Sequence, residues 1–153
     1  MENKSVFYQT LTKQAIALVE GEKDRIANLS NISALLNMSL EEINWVGFYL
    51  YDGEELVLGP FQGKPACVRI PSGTGVCGTA FATDSVQRVV DVHQFEGHIA
   101  CDAASNSEIV LPLRAGDALI GVLDIDSLVM ADLMSRMKMG LLNLSERCKF
   151  TCK

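Results

Sequence analysis

The sequence has little that marks a membrane, secreted or nucleic-acid-binding protein. No apolar run approaches the roughly 20 residues that span a bilayer. The opening stretch MENKSVFYQTLTKQ has no apolar h-region, so no signal peptide is expected and the chain is expected in the cytoplasm. No Lys/Arg cluster offsets the net charge of −6, which argues against nucleic acid and anionic lipid as partners. There is one tryptophan, there are four prolines, and no C-x-x-C pair is present. The five cysteines, at 67, 77, 101, 148 and 152, are an odd number, which argues against a structural disulfide framework. A zinc site is disfavoured because Cys67, Cys77 and Cys101 lie far apart in sequence.

The 153 residues are 48% hydrophobic, enough for one domain with one core. Phe7, Leu11, Ala15 and Leu18 recur at helical spacing over 3–20, and Gly21 stops that helix. Ile26, Leu29, Ile32 and Leu36 mark a second helix over 23–37. The period then changes. INWVGFYLY (43–51) reads as a strand, Asp52-Gly53 as a turn and Glu55–Leu58 as the return strand. A turn-rich segment, GPFQGKPAC, leads to a short strand at 67–70 closed by Pro71, then a short helix near Val76–Ala82. Strands are expected at 87–90, 108–114 and 119–125, with a turn at Ala115-Gly116-Asp117, and a final helix at 130–148. This order is an α+β arrangement, a mainly antiparallel sheet with helices against it.

The chemistry concentrates in FEGHIACDAASNSEIVLPL (95–113), whose first half belongs to a long loop. Cys101 sits there among small and polar residues. A thiolate needs positive potential or N–H donors, which His98 and the loop amides could supply. The competing reading is a small buried core cysteine. Cys67 and Cys77 each follow a glycine- or proline-rich turn and could act as partners to an oxidised thiol. Asp124 and Asp126, two apart in LDIDS, point to one strand face. They form either an exposed strand end or, with Glu108 on the neighbouring strand, a site for a cation, a ligand ammonium or a shared proton. Trp45 and Tyr49 share a strand face and serve either core packing or a ligand wall.

Together INWVGFYLY, LGPFQGKPACVRIPSGTGVCGTA, DVHQFEGHIACDAASNSEIVLPL and IGVLDIDS resemble the free methionine-(R)-sulfoxide reductases, single GAF-domain enzymes, over roughly residues 10–127. The resemblance implies a GAF fold with a six-stranded antiparallel sheet flanked by helices, and a homodimer. It implies thioredoxin-dependent reduction of free methionine-(R)-sulfoxide without metal or organic cofactor. Cys101 is then the nucleophile that becomes a sulfenic acid, Cys67 the resolving thiol that closes a disulfide with it, and Cys77 an alternative or auxiliary partner. Glu108, Asp124 and Asp126 are implied to hold the substrate amine and sulfoxide oxygen, with Trp45 and Tyr49 lining the pocket. The alternative is a GAF regulatory domain that binds a small ligand or senses redox state without turnover.

The resemblance stops at Ser127. Residues 128–153, LVMADLMSRMKMGLLNLSERCKFTCK, lack the proline and the acidic Arg-Phe-Asp-rich stretch the family implies. A one-nucleotide frame shift would account for this. Codons taken from the third base of each tail codon turn Met137-Lys138 into Glu and Met139-Gly140 into Gly, and Cys152-Lys153 can yield a stop. On that reading the C-x-x-x-C pair Cys148/Cys152 is accidental.

Overall fold

A computed structural model of the chain describes residues 4–89, 91–92 and 106–128. The elements run α1 (Lys4–Val19), α2 (Arg25–Ser39), β1 (Ile43–Tyr51), β2 (Glu55–Gly63), β3 (Arg69–Pro71), α3 (Gly75–Thr83), β4 (Gln87–Val89), β5 (Ser107–Ala115) and β6 (Ala118–Ser127). The six strands form one antiparallel sheet in the order β3-β2-β1-β6-β5-β4. The α+β expectation therefore holds. The helix expected at 130–148 lies outside the described residues, as do Cys148 and Cys152.

Strand alternation divides the core in two. Val46 and Phe48 of β1, Ile109, Leu111 and Leu113 of β5, and Leu123 and Ile125 of β6 face α1 and α2. Trp45 and Tyr49, Val110 and Val122 face the other way, toward Val76, Cys77 and Ala80 of α3. The short helix α3 thus covers the face on which Glu108, Asp124 and Asp126 also lie. No helix among the described residues is long and apolar enough to cross a membrane.

Three local expectations are revised. In α1 the core side is Tyr8, Leu11, Thr12 and Ala15, whereas Phe7 and Leu18 are exposed. The spacing 8-11-15 fits a helical face as well as 7-11-15, and Tyr8 fills the inner position. In α2, Leu29, Ile32, Leu35 and Leu36 are buried and Ile26 is exposed beside the N-cap, where Asp24 accepts from the Ala27 N–H at 2.9 Å. The third revision is larger. β2 does not end at Leu58 but continues through Gly59-Pro60-Phe61-Gln62 to Gly63. The register against β1 runs Tyr49↔Leu58 and then Gly47↔Phe61, so Gly59 and Pro60 together oppose Phe48. A bulge of this kind accommodates the glycine and proline that read as a turn. The strand expected at 67–70 is displaced to Arg69–Pro71, with Pro71 inside it.

Candidate active site

The site is assembled by register. Across the sheet, Trp45 of β1 lies opposite Asp126 of β6, which lies opposite Glu108 of β5. One step along, Gly47, Asp124 and Val110 form the next row, followed by Tyr49, Val122 and Pro112. All of these alternate residues share the α3 face. The three carboxylates singled out in the sequence therefore converge on adjacent strands, although Glu108 is sixteen positions from Asp124 in the chain.

Glu108 and Asp124 are buried, at 6% and 5% exposure, and Asp126 is half-buried. The exposed-strand-end reading of Asp124 is thereby excluded. Cys77 comes down from α3 with its Sγ 3.9 Å from Glu108 Oε2. Asp124 Oδ1 is buried and without a hydrogen-bond partner. Burial pushes the Asp124 carboxyl well above the ordinary carboxylate range, and the neighbouring Asp126 and Glu108 carboxyls push it further. Burial likewise raises the Cys77 thiol, with Asp124 and Glu108 adding to the effect. The Tyr49 phenol is raised too, first by burial and then by the charge of Asp124.

Trp45 is only 2% exposed, with its ring stacked on Phe61 at 5.2 Å and an interplanar angle of 15°. The Tyr49 ring also stacks with that of Trp45, at 6.0 Å and an interplanar angle of 23°. Trp45 Nε1 donates to the Lys64 carbonyl at 3.0 Å, and the Tyr49 hydroxyl donates to the Cys67 carbonyl at 2.8 Å. Both aromatics therefore also fasten the 64–67 segment that carries Cys67. That half-buried residue is disulfide-bonded, while Cys77 is a free, buried thiol and so is not its partner.

Reasoning from sequence passed over Gly47, Gly63 and Phe61. A Cβ at Gly47 would meet Phe61 and Trp45 Cη2, and one at Gly63 would meet Trp45 Cδ1 and Cγ. The indole thus rests between two glycines with Phe61 beneath it. The signal available was an isolated glycine within the strand WVGFYLY, which marks close approach of other atoms. His98 and Cys101 lie outside the described residues. The segment that carries them leaves and returns at one place: the Val92 N–H donates to the Asn106 carbonyl at 2.8 Å, and the Asn106 N–H to that of Ser127 at 2.8 Å. This anchor adjoins Ser107 and Glu108.

A six-stranded antiparallel sheet with helices on both faces and a buried polar cluster under a short helix is the architecture of a GAF domain. Residues 26–142 match the GAF domain family. The chain is 58% identical over 142 residues to the free methionine-R-sulfoxide reductase of Escherichia coli, covering 93% of this chain and 86% of that protein. It is 44% identical over 134 residues to the enzyme of the same name from Saccharomyces cerevisiae, covering 82% and 74%. The structure of free methionine-R-sulfoxide reductase from Neisseria meningitidis in complex with its substrate superposes with a TM-score of 0.84 at 42% identity, over 97% of this chain and 92% of that one. The chain belongs to the GAF-domain family of free methionine-R-sulfoxide reductases.

Proposed function

We propose that this protein reduces free L-methionine-(R)-sulfoxide to L-methionine by a thiol cycle. The observation that carries the reading is the buried carboxyl cluster of Glu108 and Asp124 beside Asp126, one oxygen of which lacks a partner. Such a cluster suits a ligand that brings both an ammonium group and an oxygen in need of protons.

In this reading the Cys101 thiolate attacks the sulfoxide sulfur. The oxygen is transferred, methionine leaves, and Cys101 becomes a sulfenic acid. Asp124, whose hold on its proton is strengthened by burial and by the neighbouring Asp126 and Glu108 carboxyls, can donate a proton to the sulfoxide oxygen as its bond to sulfur weakens. Asp126 and Glu108 receive the ammonium group. The Cys67 thiol then condenses with the sulfenic acid, water departs, and a disulfide remains. Thioredoxin reduces that disulfide by thiol exchange. The disulfide state of Cys67 supports its place in the cycle, and the two carbonyl bonds from Trp45 and Tyr49 fasten its segment to β1. Cys77 is buried and its thiol is raised by that burial, which disfavours the thiolate, so the cycle proposed here runs through Cys67.

A single-turnover experiment tests the cycle. Fully reduced protein mixed with the R epimer, without a reductant, should release one methionine per chain and yield a Cys67–Cys101 linkage in peptide mass maps. Cys67→Ser should still release methionine and leave Cys101 open to a sulfenic-acid trap such as dimedone. Release of methionine by Cys101→Ser would overturn the assignment.

A further inference from the structure

Cys77 is the thiol the proposed cycle leaves over, and its surroundings are unusual for a core cysteine. One ligand atom each from Cys77, Glu108 and Asp124 lie within 4.8 Å of one another, and all three residues are buried. Asp124 Oδ1 has no hydrogen-bond partner there. In a tetrahedral zinc site the ligand atoms stand roughly 3.5 Å apart around the ion, so the cluster needs only a small contraction to close on one. Half-buried Asp126 lies two positions along from Asp124 on the same strand face, and the cluster proper is the other three residues. The sulfur decides which cation. Calcium and magnesium favour shells built of oxygen, whereas a thiolate beside carboxylates suits zinc, cobalt or cadmium. An ammonium group can use the carboxylates but gains nothing from the sulfur.

We propose that Cys77, Glu108 and Asp124 form a binding site for a borderline-soft divalent cation, Zn2+ foremost, and that its occupancy excludes the sulfoxide substrate. The binding itself stands on the cluster alone; the exclusion rests on the function proposed above. On binding, the Cys77 thiol gives up its proton and the sulfur bonds to the metal. Sequence spacing hides the site, because its three ligands come from α3, β5 and β6 and only the sheet register joins them.

Cobalt titration of the reduced full chain is the test, read by the near-ultraviolet thiolate-to-cobalt absorption and displaced by Zn2+. The expected result is one equivalent bound. The band should vanish in Cys77→Ser and persist in Cys67→Ser, Cys101→Ser and the double variant Cys148→Ser/Cys152→Ser. Asp124→Asn should weaken Zn2+ binding by at least about tenfold, the loss that even an outer partner of a metal site can cause. Far-ultraviolet circular dichroism confirms that each variant is folded. A folded Cys77→Ser that keeps the band, or a band that follows Cys148 and Cys152, overturns the site. If Cys77→Ser does not fold, unchanged affinity in folded Asp124→Asn does so. Methionine-(R)-sulfoxide should raise the apparent Kd of Zn2+; no such competition in a protein that reduces the R epimer overturns the exclusion. A chain that binds cobalt as described but does not reduce the sulfoxide leaves the cation site standing and contradicts the proposed function instead.

Discussion

At the scale of single residues, Asp124 is the buried carboxyl whose titration the fold perturbs upward. Its folded pKa lies well above the ordinary 3.8, so the folded chain keeps a proton that the unfolded chain releases. Between those two pKa values the folded state binds more protons, and stability falls as pH rises. Stability is therefore greatest at the acid end of that window and its loss is complete once pH exceeds the folded pKa. Asp124→Asn removes this dependence, so its Tm should be flatter than that of the parent as pH rises from 4; parallel thermal melts across pH check it. In the proposed cycle the same substitution removes the proton donor to the sulfoxide oxygen, and it should lower kcat by roughly a hundredfold, as loss of general acid catalysis does. Cys77 has the same sign at a higher pH. Its folded thiol keeps its proton above the usual 9.0, so its contribution to stability falls away as pH rises beyond that value. Tyr49→Phe removes the hydroxyl that donates to the Cys67 carbonyl and should cost about 0.5–1.5 kcal/mol in denaturant unfolding.

At the scale of elements, β1 and β2 act together as a seat for the indole. Gly47 and Gly63 leave room at its two ends, and Phe61 lies against its face. Gly47→Ala forces a methyl group into Phe61 and Trp45 and should destabilise the chain by about 1–3 kcal/mol, as overpacking does. It should also raise KM, because the strand row it disturbs contains Asp124; steady-state kinetics on the folded variant checks this. The same strands show where sequence reading succeeds and where it fails. β1, β5 and β6 are legible because long β-branched and aromatic runs end in clear turns. β2 is not, because Gly59, Pro60 and Gly63 look like a turn until the bulge opposite Phe48 is known. The carboxylates are legible as a pair on LDIDS, and Glu108 as a residue opening the neighbouring strand; that it pairs with Asp126 is known only from the sheet register. Their contact with Cys77 is not legible, since nothing in the spacing says that α3 folds back over that face. Likewise the buried faces of α1 and α2 are fixed by which neighbour fills them, so helical spacing alone does not say that Phe7, Leu18 and Ile26 stay exposed.

At the scale of the whole molecule, the described part of the sheet places every candidate site residue but Cys101 on or beside one face, ahead of residue 128, although the family match itself runs on to residue 142. The tail should thus matter little for chemistry: Cys148→Ser/Cys152→Ser is expected to reduce sulfoxide at the parent rate. The frame-shift proposal for residues 128–153 has its own check in the gene, whose shifted frame should encode a proline and an acidic segment after Ser127. The account as a whole is tested most directly by one coupled assay. The protein is mixed with thioredoxin, its reductase and NADPH, and given the R epimer of free methionine sulfoxide, the S epimer, or a peptide containing the R sulfoxide. NADPH consumption with the free R epimer alone, abolished in Cys101→Ser, is the expected result. No consumption with that epimer, or undiminished consumption by Cys101→Ser, would contradict the account.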